Sequence, residues 1–203
     1  MPRQAAFKES ASQTAGPYAH IGGMPNFAGI PGVFPGDLGA DMIGEGAKGE
    51  RISITGHIYD GAGDPVRDGI LEIWQADASG LFNAPAEHRG TPDPAFSGWG
   101  RRATDLETGI YRFDTIKPGQ VPAPNGQLQA PHIALWIVAR GINIGLLTRM
   151  YFGDEVEANA VDPVLTDLAD QDRVPTLVAE GKNGAYTFDI HLQGPRETVF
   201  FDI

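Results

Sequence analysis

The side chains here that could hold a metal ion or move a proton are five histidines, five tyrosines and the carboxylates, because cysteine is absent. Disulfides, zinc–thiolate centres, cysteine-held iron–sulfur clusters and thiol nucleophiles are thereby excluded. His20, His57, His88, His132 and His191 are scattered, with no two within a few residues of each other. Spacing alone offers no ready-made metal site, although ligands on separate strands need only meet in space. A lone histidine in a strand is more often hydrogen-bonded structure than a ligand. The acidic groups Asp154, Glu155 and Glu157 read as the solvated face of a short helix. The chain has no Gly-x-Ser-x-Gly elbow, no phosphate loop ending in Gly-Lys-Ser or Gly-Lys-Thr, and no His-Glu-x-x-His.

Charge narrows the field further. Fifteen basic against 26 acidic residues leave a formal net charge of -11. That sign disfavours nucleic acid and anionic membrane as partners, since both require a basic surface. An anionic ligand could be held only where arginine is locally available. The longest purely apolar run, Ile133 to Ala139, is too short to cross a bilayer. Met1 to Ser12 carries Arg3, Lys8 and Glu9 without an apolar stretch, unlike a signal peptide. The expectation is a cytoplasmic protein.

Any site must be positioned by strands. Residues 1–50 are rich in Gly, Pro and Ala, with breakers at Gly16-Pro17, Gly22-Gly23, Pro31-Gly32 and Pro35-Gly36, which precludes a regular helix or long strand. Phe27, Ile30, Val33, Phe34, Met42 and Ile43 nevertheless call for burial, so this segment is expected to be an irregular, partner-contacting arm. Residues 51–203 read as one β-sandwich domain of about seven strands. Runs rich in β-branched and aromatic residues lie at Ile52–Tyr59, Ile70–Gln75, Ile110–Ile116, Ile133–Ala139, Ile142–Phe152, Tyr186–Leu192 and Thr198–Ile203, with turn residues between them. The continuous run Ile133–Ala139 fits a strand buried on both faces. Asp154–Asn159 and Asp162–Ala179 read as short helices, the second broken by Pro175.

Three stretches are more specific: Leu71-Glu72-Ile73-Trp74-Gln75-Ala76-Asp77, Thr115-Ile116-Lys117-Pro118-Gly119 and Ala130-Pro131-His132-Ile133. In that order they resemble the intradiol aromatic-ring dioxygenases. Ser12-Gln13-Thr14-Ala15-Gly16-Pro17-Tyr18, Ala139-Arg140-Gly141-Ile142-Asn143-Ile144 and Glu197-Thr198-Val199-Phe200-Phe201-Asp202 extend the likeness from Ser12 to Ile203 and turn it toward the alpha-type chain of a hetero-oligomeric member. The resemblance implies a β-sandwich enzyme that opens 3,4-dihydroxybenzoate between its hydroxyls with dioxygen and ferric iron. In the family the iron is held by two tyrosines and a His-x-His pair. Phenolate and imidazole suit ferric iron, and His-x-His puts both rings on one face of a strand.

Carried over by position, the tyrosines fall on Phe82 and Val121, and the histidines on His132 and Ala134. Phe, Val and Ala have no electron pair to donate, so this chain is expected to bind no metal. The Fe(III) of the complex then belongs to an iron-bearing beta-type chain. What the resemblance assigns to the alpha-type chain is a pocket contribution: Thr14, Gly16, Pro17 and Tyr18 reaching the partner's site, and Arg140 near a substrate carboxylate. Plainer roles stand beside these, with Tyr18 an apolar anchor, Arg140 an ordinary strand-end arginine, and His132, Trp74 and Trp99 packing residues. Two other readings stay open. One is a self-sufficient dioxygenase using Tyr111 or Tyr151 with His132; the other is a non-enzymatic β-sandwich scaffold or binding module.

Overall fold

The computed structural model describes residues 10–11 and 13–202. Ser12, which opens one of the quoted stretches, lies outside the described residues, as do residues 1–9 and Ile203. In chain order the elements are α1 (Ala19–Gly23), β1 (Arg51–Tyr59), β2 (Ile70–Trp74), β3 (Trp99–Ala103), β4 (Ile110–Ile116), β5 (Val121–Pro122), β6 (Leu128–Gln129), β7 (His132–Val138), β8 (Leu146–Phe152), α2 (Val156–Asn159), α3 (Pro163–Thr166), a 3-10 helix (Gln171–Leu177), β9 (Val178–Lys182), β10 (Ala185–Thr187) and β11 (Ile190–His191).

Strand alternation makes two layers of one curled sheet. β1 runs antiparallel to β4 and parallel to β10, which turns back onto β9. A parallel step from β9 to β8 then leads through β7 and β2 to β3. Ile52, Ile54 and Ile58 from β1, with Tyr111 and Phe113 from β4, face Leu71 and Ile73 from β2 and Ile133, Leu135 and Ile137 from β7 across one core. The fold is the expected all-β sandwich with short helices. Among the described residues, no helix is long and apolar enough to cross a membrane.

The arm at Gly23 and from Gly39 to Gly44 lies along the free edge of β3 and the residues just before it. The N–H of Arg101 donates to Gly39 O at 3.0 Å, that of Ser97 to Met42 O at 3.0 Å, and that of Gly44 to Ala95 O at 2.7 Å. Arg101 also reaches back to Gly23 O at 3.1 Å, while Arg102 donates to Ala40 O. Met24 and Met42 are buried, but Phe27, Ile30 and Val33 are exposed. The apolar arm residues thus divide between a face laid on this chain and a face left open.

Several sequence expectations are corrected. β7 is not buried on both faces: Ile133, Leu135 and Ile137 point inward, while His132 and Ala134 are only partly covered and Trp136 is exposed. Its outer side chains are apolar by type yet lie on the open side of the sheet. β3, with the unpromising sequence Trp-Gly-Arg-Arg-Ala, is a strand that pattern reading missed. Arg101 is held there by Glu72 across the ladder, so pairing outweighs intrinsic preference. Of the second proposed helix only Pro163–Thr166 and the 3-10 turn form, and Val178 and Ala179 belong to β9. The run from Thr198 makes only a single bridge, Leu147 to Phe201, instead of a strand. One turn of helix does form in the arm, at Ala19–Gly23.

Gly56 in β1 meets the neighbouring segment after β10 with no room for a side chain. A Cβ there would lie 2.0 Å from Phe188 O, the carbonyl to which the buried Tyr111 hydroxyl donates. Gly56→Ala is therefore expected to lower the unfolding free energy by about 3 kcal/mol, read as a lower urea midpoint with an unchanged slope.

Candidate functional site

Two regions carry the residues singled out from the sequence. In the first, the arm meets the turn after β7. The Thr14 hydroxyl accepts a hydrogen bond from Gly141 N–H at 2.9 Å and donates to Ala139 O at 3.3 Å. Gly16 N–H turns back on the same oxygen at 3.4 Å. Gly16 and Gly141 both sit at positive φ, +74° and +86°, where a side chain would be strained. Thr14 is thus pinned to the two residues that flank Arg140. Pro17 and Tyr18 follow in a turn closed by Ile21 N–H donating to Tyr18 O at 3.0 Å. Tyr18 is 72% exposed.

Arg140 points away from this junction toward a cleft of about 460 Å³ that also contains Asp60, Asp64, Arg67 and Asp68. Its Nε lies 3.2 Å from Asp68 Oδ2, with 66% of the arginine side chain exposed. A surface pair of this kind is worth little and exchanges readily. The structure therefore brings Thr14 and the Arg140 turn together. It does not bring Tyr18 and the Arg140 guanidinium into contact.

The second region is the outer face of β2, β7 and β8, where the four positions Phe82, Val121, His132 and Ala134 converge. Ala134 is the ladder partner of Trp74 on one side and of Arg149 on the other. Phe82 stacks on Trp74, with ring centroids 5.9 Å apart. Val121 pairs with Gln129 across the β5–β6 ribbon, and His132 is opposite Tyr151. Arg149 ties these together: Nη1 donates to Gln129 Oε1 at 2.7 Å and to Tyr151 Oη at 3.4 Å. The Tyr151 hydroxyl in turn donates a hydrogen bond to Asp162 Oδ1 at 3.2 Å. Asp162, fully buried, also accepts from Ala130 N–H at 2.7 Å and caps α3 through Val164 and Leu165 N–H.

These contacts set the protonation states. Burial, and then the Arg149 charge, push the His132 imidazole down to about 4, so it is neutral at pH 7. Its Nδ1 lies 2.8 Å from Ala130 O; a carbonyl can only accept, so the proton sits on Nδ1 and Nε2 keeps its lone pair. Burial followed by the Asp162 carboxylate raises the Tyr151 phenol well above its ordinary range. Tyr111, the other tyrosine considered with His132, is buried in the core with its hydroxyl on Phe188 O and does not reach this region.

The donor set does not fit ferric iron. Phe82, Val121 and Ala134 have nothing to coordinate with, Tyr151 is kept a phenol by burial and by Asp162 against the opposing pull of Arg149, and one imidazole is left. Among the described residues, no group of three or more histidine and carboxylate side chains is arranged to hold a metal. Sequence reading missed Arg149, Gln129 and Asp162. Arg149 had a signal, as the one charged residue in the otherwise uncharged strand Leu-Leu-Thr-Arg-Met-Tyr-Phe; Asp162 had another, as a capping residue directly before Pro163.

Comparison with known proteins agrees with the fold. Residues 36–194 match the family model described as Dioxygenase. The protocatechuate 3,4-dioxygenase alpha chain of Pseudomonas putida is 45% identical over 199 residues, covering 96% of each chain. The beta chain of the same enzyme from Burkholderia cepacia is 38% identical over 170 residues, covering 78% of this chain and 71% of that one. Among solved structures, 3-chlorocatechol 1,2-dioxygenase from Rhodococcus opacus 1CP superposes with a TM-score of 0.58 at 22% identity, over 79% of this chain and 69% of that one. The chain belongs to the intradiol ring-cleavage dioxygenase family. Within that family its sequence is similar to alpha chains over nearly its full length.

A depressed histidine pKa has a definite consequence for stability. His132 is neutral in the folded chain down to about pH 4, whereas in the unfolded chain it charges near 6.5. Its contribution is fully present above pH 6.5 and is lost as pH falls toward 4. Urea midpoints measured across that range should decline, and His132→Gln should remove this part of the decline.

Proposed function

We infer that this chain is the non-iron subunit of a protocatechuate 3,4-dioxygenase, working in the cytoplasm beside an iron-bearing beta-type chain. The assembled enzyme takes 3,4-dihydroxybenzoate and dioxygen. The ring bond between the two hydroxyl-bearing carbons breaks, both oxygen atoms of dioxygen enter the product, and 3-carboxy-cis,cis-muconate results. The beta-type chain holds the ferric ion, which supplies the oxidising centre. This chain supplies Thr14, Gly16, Pro17, Tyr18 and Arg140 to the pocket.

One observation carries the reading: the Thr14 hydroxyl bonds both Ala139 O and Gly141 N–H, so the arm segment and the Arg140 turn share one surface. The Arg140 guanidinium, itself largely exposed though paired with a mostly covered Asp68, can turn to a benzoate carboxylate by exchanging one carboxylate partner for another. Residues 1–50 serve as the partner-contacting arm and residues 51–203 as the dioxygenase-like domain. Tyr18, Ile21, Phe27, Ile30, Val33 and Leu38 support this division, because all six are exposed apolar side chains on the arm. The similarity to both an alpha chain and a beta chain favours two related subunits in one assembly.

Metal analysis and co-expression test the reading. The chain alone is expected to carry no iron and no reddish tyrosinate-to-iron colour; the complex with a beta-type chain is expected to carry both. In the complex, Arg140→Ala should lower kcat/KM for protocatechuate by about ten-fold or more, the worth of one charge-assisted hydrogen bond. Tyr18→Ala should reduce it as well, with iron content unchanged. Full activity in both variants would leave a scaffold, and turnover by the chain alone would mean a self-sufficient enzyme.

A further inference from the structure

We propose that Arg149 is a built-in cation standing where a metal ion would be framed, and that its charge closes this part of the chain to metal. The argument is geometric. Arg149 is the direct ladder partner of Ala134. Its guanidinium donates to Gln129, the partner of Val121, and to Tyr151, the partner of His132. Phe82 borders the same patch through Trp74, which is the other ladder partner of Ala134. One guanidinium therefore lies beside the ladder partners of Val121 and His132, on the residue directly opposite Ala134, with Phe82 at the edge of the same patch.

Its bonding suits the role. Gln129 Oε1 and Tyr151 Oη are uncharged, and the nearest carboxylate in the network, Asp162, is reached only through the tyrosine hydroxyl. The face of the Phe201 ring lies beneath the guanidinium at 5.8 Å. A metal cation arriving beside His132 would meet a positive charge whose direct contacts among the described residues carry no negative charge. Metal exclusion is thus active: absent ligands and a resident cation oppose binding independently. The inference does not depend on which substrate the assembled enzyme takes.

The test restores half of a ligand pair with and without the charge. His132 Nε2 has a free lone pair, and Ala134→His on the same strand face creates His-x-His, a ready chelate for nickel(II). Nickel affinity of the full chain is measured by calorimetry, with the fold of each variant verified by circular dichroism. Ala134→His alone should bind about ten-fold more weakly, or worse, than Ala134→His with Arg149→Gln. Ala134→His with Arg149→Lys, which keeps the charge, should stay weak. Arg149→Met replaces Arg149→Gln should the glutamine variant not fold. Equal affinities with and without the charge, or no binding in the charge-neutral variants, would overturn the proposal. Neither result touches the pocket role of Thr14, Tyr18 and Arg140, which activity in the complex reports separately.

Discussion

Everything in this chain turns on the pleat of β7, because successive side chains of a strand must go to opposite faces. Ile133, Leu135 and Ile137 go inward and are buried to 1% exposure or less, at the centre of the core. His132, Ala134 and Trp136 are thereby forced outward onto the face where the site positions converge. The core and the site are two sides of seven residues. A slip of one residue in register against β2 or β8 would put His132 among the isoleucines and Ile133 in the open. Two-sided pairing, with β2 at Trp74–Ala134 and β8 at Ala134–Arg149, prevents it.

The same alternation explains what could be read from sequence and what could not. Ile52, Ile54 and Ile58, and then Tyr111 and Phe113, alternate in strands whose outer faces are polar, so their pattern announces them. β7 misled because its outer residues Ala134 and Trp136 are apolar by type, which hides the period of two. β3 was missed because its stability comes from partners far away in sequence: Glu72 bonds both Arg101 and the Trp99 indole. The substituted positions Phe82, Val121 and Ala134 were legible, since a missing ligand is a matter of identity alone. Arg149 and Asp162 were not, because their roles exist only once β8 has paired with β7 and the chain beyond α2 has folded back over β6.

The region around Arg149 also shows how a polar interior is kept solvent-poor without a metal. A metal ion cross-links strands and balances charge at once. Here cross-linking falls to hydrogen bonds from Arg149 through Tyr151 to the buried Asp162, and Asp162 is satisfied by three backbone N–H groups. A buried carboxylate without such partners would cost several kcal/mol. The network is complete at the carboxylate end, while at the arginine end the direct partners among the described residues are uncharged.

The arm follows a different economy. From Gly39 to Gly44 it is fixed by backbone bonds along an edge strand, a cooperative arrangement that covers otherwise unpaired groups. At Thr14 the attachment is one exposed hydroxyl making two bonds, each worth about 1 kcal/mol net. Ordering the residues from Thr14 to Tyr18 costs about 1 kcal/mol or more of backbone entropy apiece. Two hydrogen bonds cannot offset that, and Tyr18 is largely exposed within this chain. The Gly16-Pro17 bend lowers the cost only in part, since proline fixes φ at one position. Under the proposed role, the remaining stabilisation of this segment comes from the surface of the partner whose pocket it completes.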